Sequence, residues 1–261
     1  MRIFRGTDAA LHWREDGDPQ GMPVVFANSL GTDLRLWDGI IDLLSPDLRL
    51  VRFDKRGHGL SSRPPGPYSI GDLAGDTAEL LDQINAGPCV FVGLSIGGMI
   101  AQALAASRPD LVRAAVLSNT AAKIGTPEMW QERIDAVEAG GIEALADGVM
   151  DRWFSPEFLE TDELILWRNM LTGTPPAGYA ACCAAVASAD LAESTSRLRQ
   201  PVLGIAGTLD LATPPELVAE TTALVTGSKF TEIPGVGHLP CVEAPEHYAG
   251  IISDFIEEVR P

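Results

Sequence analysis

Positive charge is scarce in this 261-residue chain: 19 Lys and Arg stand against 36 Asp and Glu, a net charge of −17. A field of that sign repels nucleic acid and anionic membrane surfaces, so neither is an expected partner. A small anion would need a place where the few cations gather. Cysteine is also sparse. Cys89, Cys182, Cys183 and Cys241 follow no metal-ligand spacing and two of them are adjacent. They read as small core residues in a reducing compartment, and no metal site is expected. No apolar run approaches membrane-spanning length, and residues 1–8 contain no apolar signal core, which points to a cytoplasmic protein. The chain also lacks internal repeats, low-complexity linkers and nucleotide-binding motifs.

What is present is a globular composition, 46% hydrophobic and 21% charged, arranged as strands alternating with helices. Strands are predicted at 10–14, 23–28, 48–53, 89–92, 114–119, 202–206 and 230–233. Helices are predicted at 34–44, 69–86, 99–106, 215–225 and 246–259. Continuous apolar strands separated by helices imply an α/β fold with a mostly parallel sheet covered on both faces. The alternation breaks between about 125 and 197, where 128–140, 142–153, 161–172 and 178–189 read as helical and no strand is convincing. The expected organisation is a core of residues 1–124 and 197–261, with residues 125–196 inserted as a helical cap. Such lids close active sites and carry selectivity.

The chemistry centres on Gly93-Leu94-Ser95-Ile96-Gly97-Gly98, placed between a predicted strand and a predicted helix. That context makes G-x-S-x-G a nucleophile elbow, whose glycines relieve backbone crowding and whose serine stands at the rim of the sheet. A serine hydroxyl needs a base, and the base needs orienting. Of four histidines, His12 lies in a strand, His58 in a turn and His247 on the last helix, whereas His238 sits in a loop directly after a strand. Asp210 follows a core strand. The end of strand 114–119, where the acid could otherwise stand, offers only Ser118, Asn119 and Thr120. The order Ser95, Asp210, His238 is the one expected of α/β-hydrolases. Backbone N–H groups of Ile96 and of Leu30, in the loop after strand 23–28, are the candidates for an oxyanion hole. Arg56 and His58 could touch substrate but read better as a structural network, and Cys182-Cys183 as packing.

With these residues in place, the whole chain resembles the α/β-hydrolase superfamily. More narrowly it is similar to the 3-oxoadipate enol-lactonases of aromatic-compound catabolism, the β-ketoadipate pathway. The stretches that carry this likeness are 28–33, 53–61, 93–99, 119–126 and 179–185. Ile96 departs from the methionine common in the family, which leaves its N–H unaffected. The resemblance implies a carboxylate-bearing lactone opened to a dicarboxylate without any cofactor. It also suggests that Arg133, three residues from Trp130 on one helix face, grips that carboxylate while Trp130 packs on the ring. A general carboxylesterase or a carbon–carbon bond hydrolase would share the triad and differ in the cap, and a cofactor-free perhydrolase or haloperoxidase activity would use the same triad. Ser95 excludes the aspartate-nucleophile dehalogenases and the cysteine-nucleophile lactonases. A non-catalytic binding protein of this fold often lacks a triad member, and here all three stand.

Overall fold

Val24 to Phe26, Val90 to Val92 and Ala114 to Leu117 have no exposure to solvent. Apolar residues hidden in unbroken runs, not at alternate positions, belong to strands covered on both faces. In the computed structural model, which describes residues 1–261, these runs form the centre of one eight-stranded sheet. The strands are β1 (Arg2–Arg5), β2 (Ala10–Gly17), β3 (Met22–Ala27), β4 (Leu48–Phe53), β5 (Cys89–Leu94), β6 (Val112–Ser118), β7 (Val202–Gly207) and β8 (Lys229–Ile233), in the spatial order β1-β2-β4-β3-β5-β6-β7-β8. The β1–β2 and β2–β4 pairings are antiparallel and all others parallel.

The first helices are α1 (Asp38–Ile41), α2 (Ile70–Ile84) and α3 (Ile96–Ser107). Between β6 and β7 the chain leaves the sheet for α4 (Pro127–Gly140), α5 (Ala146–Trp153), α6 (Pro156–Leu159), α7 (Leu164–Thr172), α8 (Pro176–Ala187) and α9 (Ala192–Thr195). It closes with α10 (Pro215–Ala223), α11 (Pro240–Glu243) and α12 (Pro245–Val259). No helix is long and apolar enough to cross a membrane.

Three local features depart from the sequence expectations. The short edge strand β1 carries a charged residue at each end and lacks the apolar run that marks a strand. β2 runs through the turn signal at Asp16-Gly17 because Asp16 accepts a hydrogen bond, 2.7 Å, from buried Arg52 on neighbouring β4. The predicted helix 34–44 divides into a 3-10 turn, Leu34–Trp37, and α1. Asp33 caps the turn through Arg35 N–H, and Leu34, Leu36 and Trp37 are buried beneath it.

Candidate active site

Ser95 stands alone between β5 and α3 with φ 58° and ψ −120°, a backbone conformation rarely adopted by residues with side chains. Neighbouring backbone enforces this geometry. A Cβ on Gly93 would strike the carbonyl of Gly97, and one on Gly97 would strike that of Ala27 on the adjacent strand. The turn is tied down by Ser95 N–H to Ser118 O at 3.0 Å, and by Thr120 Oγ1, which donates to Ser95 O at 2.6 Å. Strand, tight turn and helix thus hold Ser95 at the rim of the sheet, as expected from the sequence.

His238 lies in the loop after β8. Its backbone N–H donates to Trp153 O at 2.7 Å, while Glu243 accepts from Gly237 N–H at 2.7 Å and from Ser155 N–H at 2.9 Å. The loop is therefore fastened to the C-terminal end of α5. His238 Nδ1 lies 2.8 Å from Asp210 Oδ2, a separation that fixes the ring's orientation. Asp210 Oδ1 accepts from the N–H groups of Ala212 and Thr213 at 2.7 and 3.0 Å. Its Oδ2 also accepts from Asn119 Nδ2 at 2.9 Å and Thr213 Oγ1 at 2.7 Å. Burial pushes the Asp210 carboxyl up, but the charge of His238 and the hydrogen bonds from His238, Asn119 and Thr213 N–H outweigh it. The net result is below the usual carboxylate range.

Ser95 and His238 line one cavity, with about 590 Å³ of space among its side chains and at its mouth. They make no direct hydrogen bond here. The near neighbour of His238 Nε2 is Ser29 Oγ, at 3.5 Å. The hydrogen bond between nucleophile and base is often long or poorly aligned before substrate binds and tightens in the complex. Leu30 and Ile96 line the same cavity. Leu30 N–H has no acceptor within the protein, and Ile96 opens α3, where the first N–H groups lack intrahelical partners.

The opposite wall comes from the helical insertion. Trp130 and Arg133 on α4 both face the cavity. Trp130 Nε1 is anchored on Ile124 O at 2.6 Å, and the Arg133 guanidinium lies over its ring at 5.3 Å. Arg133 donates to Tyr179 OH at 3.2 Å, and burial pushes that phenol up to about 12 despite the arginine's charge. A second cation, Arg152 on α5, joins them. Neither arginine forms a salt bridge, and none of the 16 lining residues is Asp or Glu. Burial presses the Arg152 pKa down, and the Arg133 charge presses the same way. The cavity is a concentrated positive site within a strongly negative protein.

Arg152, Asn119 and Thr213 are the site residues that sequence reasoning missed. Thr213 carries a usable signal, because Asp followed three residues later by a hydroxyl is a turn that satisfies the carboxylate locally. Arg152 carries none, since no spacing rule relates α5 to α4. Arg56 and His58 do not line the cavity. Arg56 forms a two-pronged pair with Asp76 at 2.5 and 2.6 Å, and His58 is fully buried. No cluster of three or more His, Cys, Asp or Glu side chains could hold a metal ion.

Residues 24–250 match the alpha/beta hydrolase family. The chain belongs to that family. The hydrolase-family chain is similar to 3-oxoadipate enol-lactonase 2 of Acinetobacter baylyi, with 35% identity over 92% of this chain and 91% of that one. Among solved structures, the enol-lactonase of Burkholderia xenovorans LB400 superposes with a TM-score of 0.94 at 37% identity, covering 98% of this chain and all of that one. A thermophilic esterase from Thermogutta terrifontis, solved with malate bound, gives 0.91 at 27% identity over 97% and 95%.

Proposed function

We propose that this hydrolase opens a lactone bearing a carboxylate, 3-oxoadipate enol-lactone, to 3-oxoadipate in the β-ketoadipate route of aromatic catabolism. The observation that carries the reading is the pair of arginines without carboxylate partners, Arg133 and Arg152, across one cavity from Ser95 and His238. A neutral ester has no use for two half-buried guanidinium groups, whereas a carboxylate relieves their mutual repulsion and satisfies their donors. The likeness to enol-lactonases over nearly the whole chain supports the same substrate class.

In this reading Ser95 Oγ attacks the lactone carbonyl and passes its proton to His238 Nε2, while Asp210 steadies the imidazolium through Nδ1–H. The N–H groups of Leu30 and Ile96 receive the oxyanion. Collapse breaks the acyl–oxygen bond as the His238 imidazolium returns its proton to the departing oxygen, giving an enol that stays tethered through the acyl chain and tautomerises to the ketone. His238 then takes a proton from water, the hydroxide attacks the acyl-enzyme, and the proton returns to Ser95 Oγ. Trp130 packs against the ring and the helical insertion serves as the lid, in a protein we place in the cytoplasm.

The test is loss of the enol-lactone's ultraviolet absorbance, measured beside a neutral p-nitrophenyl ester. Ser95→Ala should abolish both reactions. Arg133→Ala and Arg152→Ala should each raise KM for the lactone about 10–100-fold, the value of a charge-assisted hydrogen bond of ~1.5–3 kcal/mol, and leave the ester nearly unchanged. Equal rates on both substrates, untouched by the arginine variants, would leave a general esterase.

A further inference from the structure

Lys55 carries a buried charge that no carboxylate meets in a salt bridge. Its side chain lies beneath the loop after β3, and the residue is 3% exposed. Nζ donates to Ser29 O at 2.7 Å and to the carbonyls of Asn28 and Thr32, each at 3.4 Å. All three acceptors belong to the loop that presents Leu30 to the cavity. A trans peptide points its C=O and N–H in opposite directions. With Ser29 O held on Lys55, the N–H of the same peptide unit, that of Leu30, points away from Lys55. It finds no acceptor in the protein, and Leu30 lines the cavity beside Ser95 and Ile96.

We infer that Lys55 is a positioning residue for the oxyanion hole, its ammonium orienting and polarising the Ser29–Leu30 peptide whose N–H receives the developing negative charge. This rests on the reading of Ser95 as nucleophile. A cation on the carbonyl draws electron density from the peptide nitrogen and makes its N–H a stronger donor. Thr32 also holds Ser29 O, through its N–H at 3.3 Å and its hydroxyl at 2.9 Å, but neither donor brings a charge.

The next peptide is fixed by His58, whose Nε2 accepts the Gly31 N–H at 2.9 Å. That bond requires a neutral ring. Burial, reinforced by the nearby Lys55 charge, holds the His58 pKa well below the usual imidazole value. The groups that face Lys55 are Asp54 beside it in the chain, Asp33 from the turn after the loop, Cys182 from α8, and His58. Burial dominates over all of them and lowers the lysine to about 8. The ammonium is therefore present at neutral pH and is lost in mildly alkaline solution.

The experiment is steady-state kinetics of the full chain on a neutral p-nitrophenyl ester and on the enol-lactone from pH 6 to 9.5, for wild type, Lys55→Met and Ser95→Ala. In the wild type, kcat should fall as pH rises through about 8. Lys55→Met should lower kcat about 10–100-fold at pH 7 with KM within about twofold, because an oxyanion contact exists only in the transition state. Its profile should lack the decline near pH 8. A folded Lys55→Met protein with wild-type kcat would overturn the inference, as would one that keeps the same alkaline decline. If that variant does not fold, a wild-type kcat that stays level from pH 7 to 9.5 overturns it equally. Retained hydrolysis in Ser95→Ala would instead remove the underlying reading of the site.

Discussion

Asp210 is the most heavily bonded carboxylate at the site, with two backbone and three side-chain donors. Those donors keep it ionised while it is buried and fix the oxygen that meets His238. Thr213→Val removes the hydroxyl donor and keeps the side chain's shape. It should reduce kcat about tenfold with little change in KM and cost the fold about 1–2 kcal/mol, measured by ester kinetics and urea unfolding. Asn119 shows where sequence reading stops at this scale. The absence of an acid at the end of β6 is legible and directs attention to Asp210, which the structure places 2.8 Å from His238 Nδ1. That the amide standing there donates to Asp210, from a backbone with φ 46°, depends on a contact across 91 residues that no local pattern encodes. Ser95 and His238 are legible because each stands after a predicted strand, Ser95 directly after buried β5 and His238 in the loop after the largely exposed edge strand β8. Arg152 is not legible, because no local pattern separates a cap arginine that faces a cavity from one that faces solvent, such as Arg168 with its exposed partners Glu143 and Asp147.

At the scale of elements, the parallel strands and the helical break between β6 and β7 are legible because burial on both faces leaves unbroken apolar runs. Helix ends are less so. α8 begins at Pro176, ahead of the predicted 178, since proline suits a first helical position. Its placement rests on a crossing of two glycines: a Cβ on Gly178 would come within 2.6 Å of Gly57 Cα. Here the insertion touches the turn that carries Lys55 and His58, and Cys182 of the same helix lies 3.8 Å from His58 Nδ1. Gly178→Ala should therefore destabilise the protein by about 1–3 kcal/mol through overpacking. It should also raise KM for the lactone, because Tyr179 and its contact with Arg133 move with α8. Urea midpoints and lactone kinetics on the same preparation would check both effects.

For the whole molecule, alkaline pH is the informative stress. All four cysteines are free and buried, and burial pushes Cys89, Cys182 and Cys183 up to about 12 from 9.0 and raises Cys241 as well. A raised folded pKa means stability that is complete below the unfolded value and is lost as pH climbs above it. Each thiol should weaken the fold by up to about 1.4 kcal/mol per pH unit between pH 9 and 12. Lys55, lowered from 10.5 to about 8, works in the opposite direction, its burial penalty easing as pH rises between those values. Urea midpoints at pH 8, 9 and 10 should fall, and fall more steeply in Lys55→Met, where the opposing lysine contribution is gone.

The net charge of −17 also bears on turnover. On the proposed reaction the lactone arrives with one carboxylate and the product departs with two. The two arginines concentrate attraction at short range, whereas the repulsive field extends about a Debye length into solution. Ring opening thus doubles the charge on which that outer field acts. A surface poor in lysine and arginine gives the product an outward electrostatic push twice that felt by the incoming lactone, so the acidity of the shell favours emptying the site over refilling it with product.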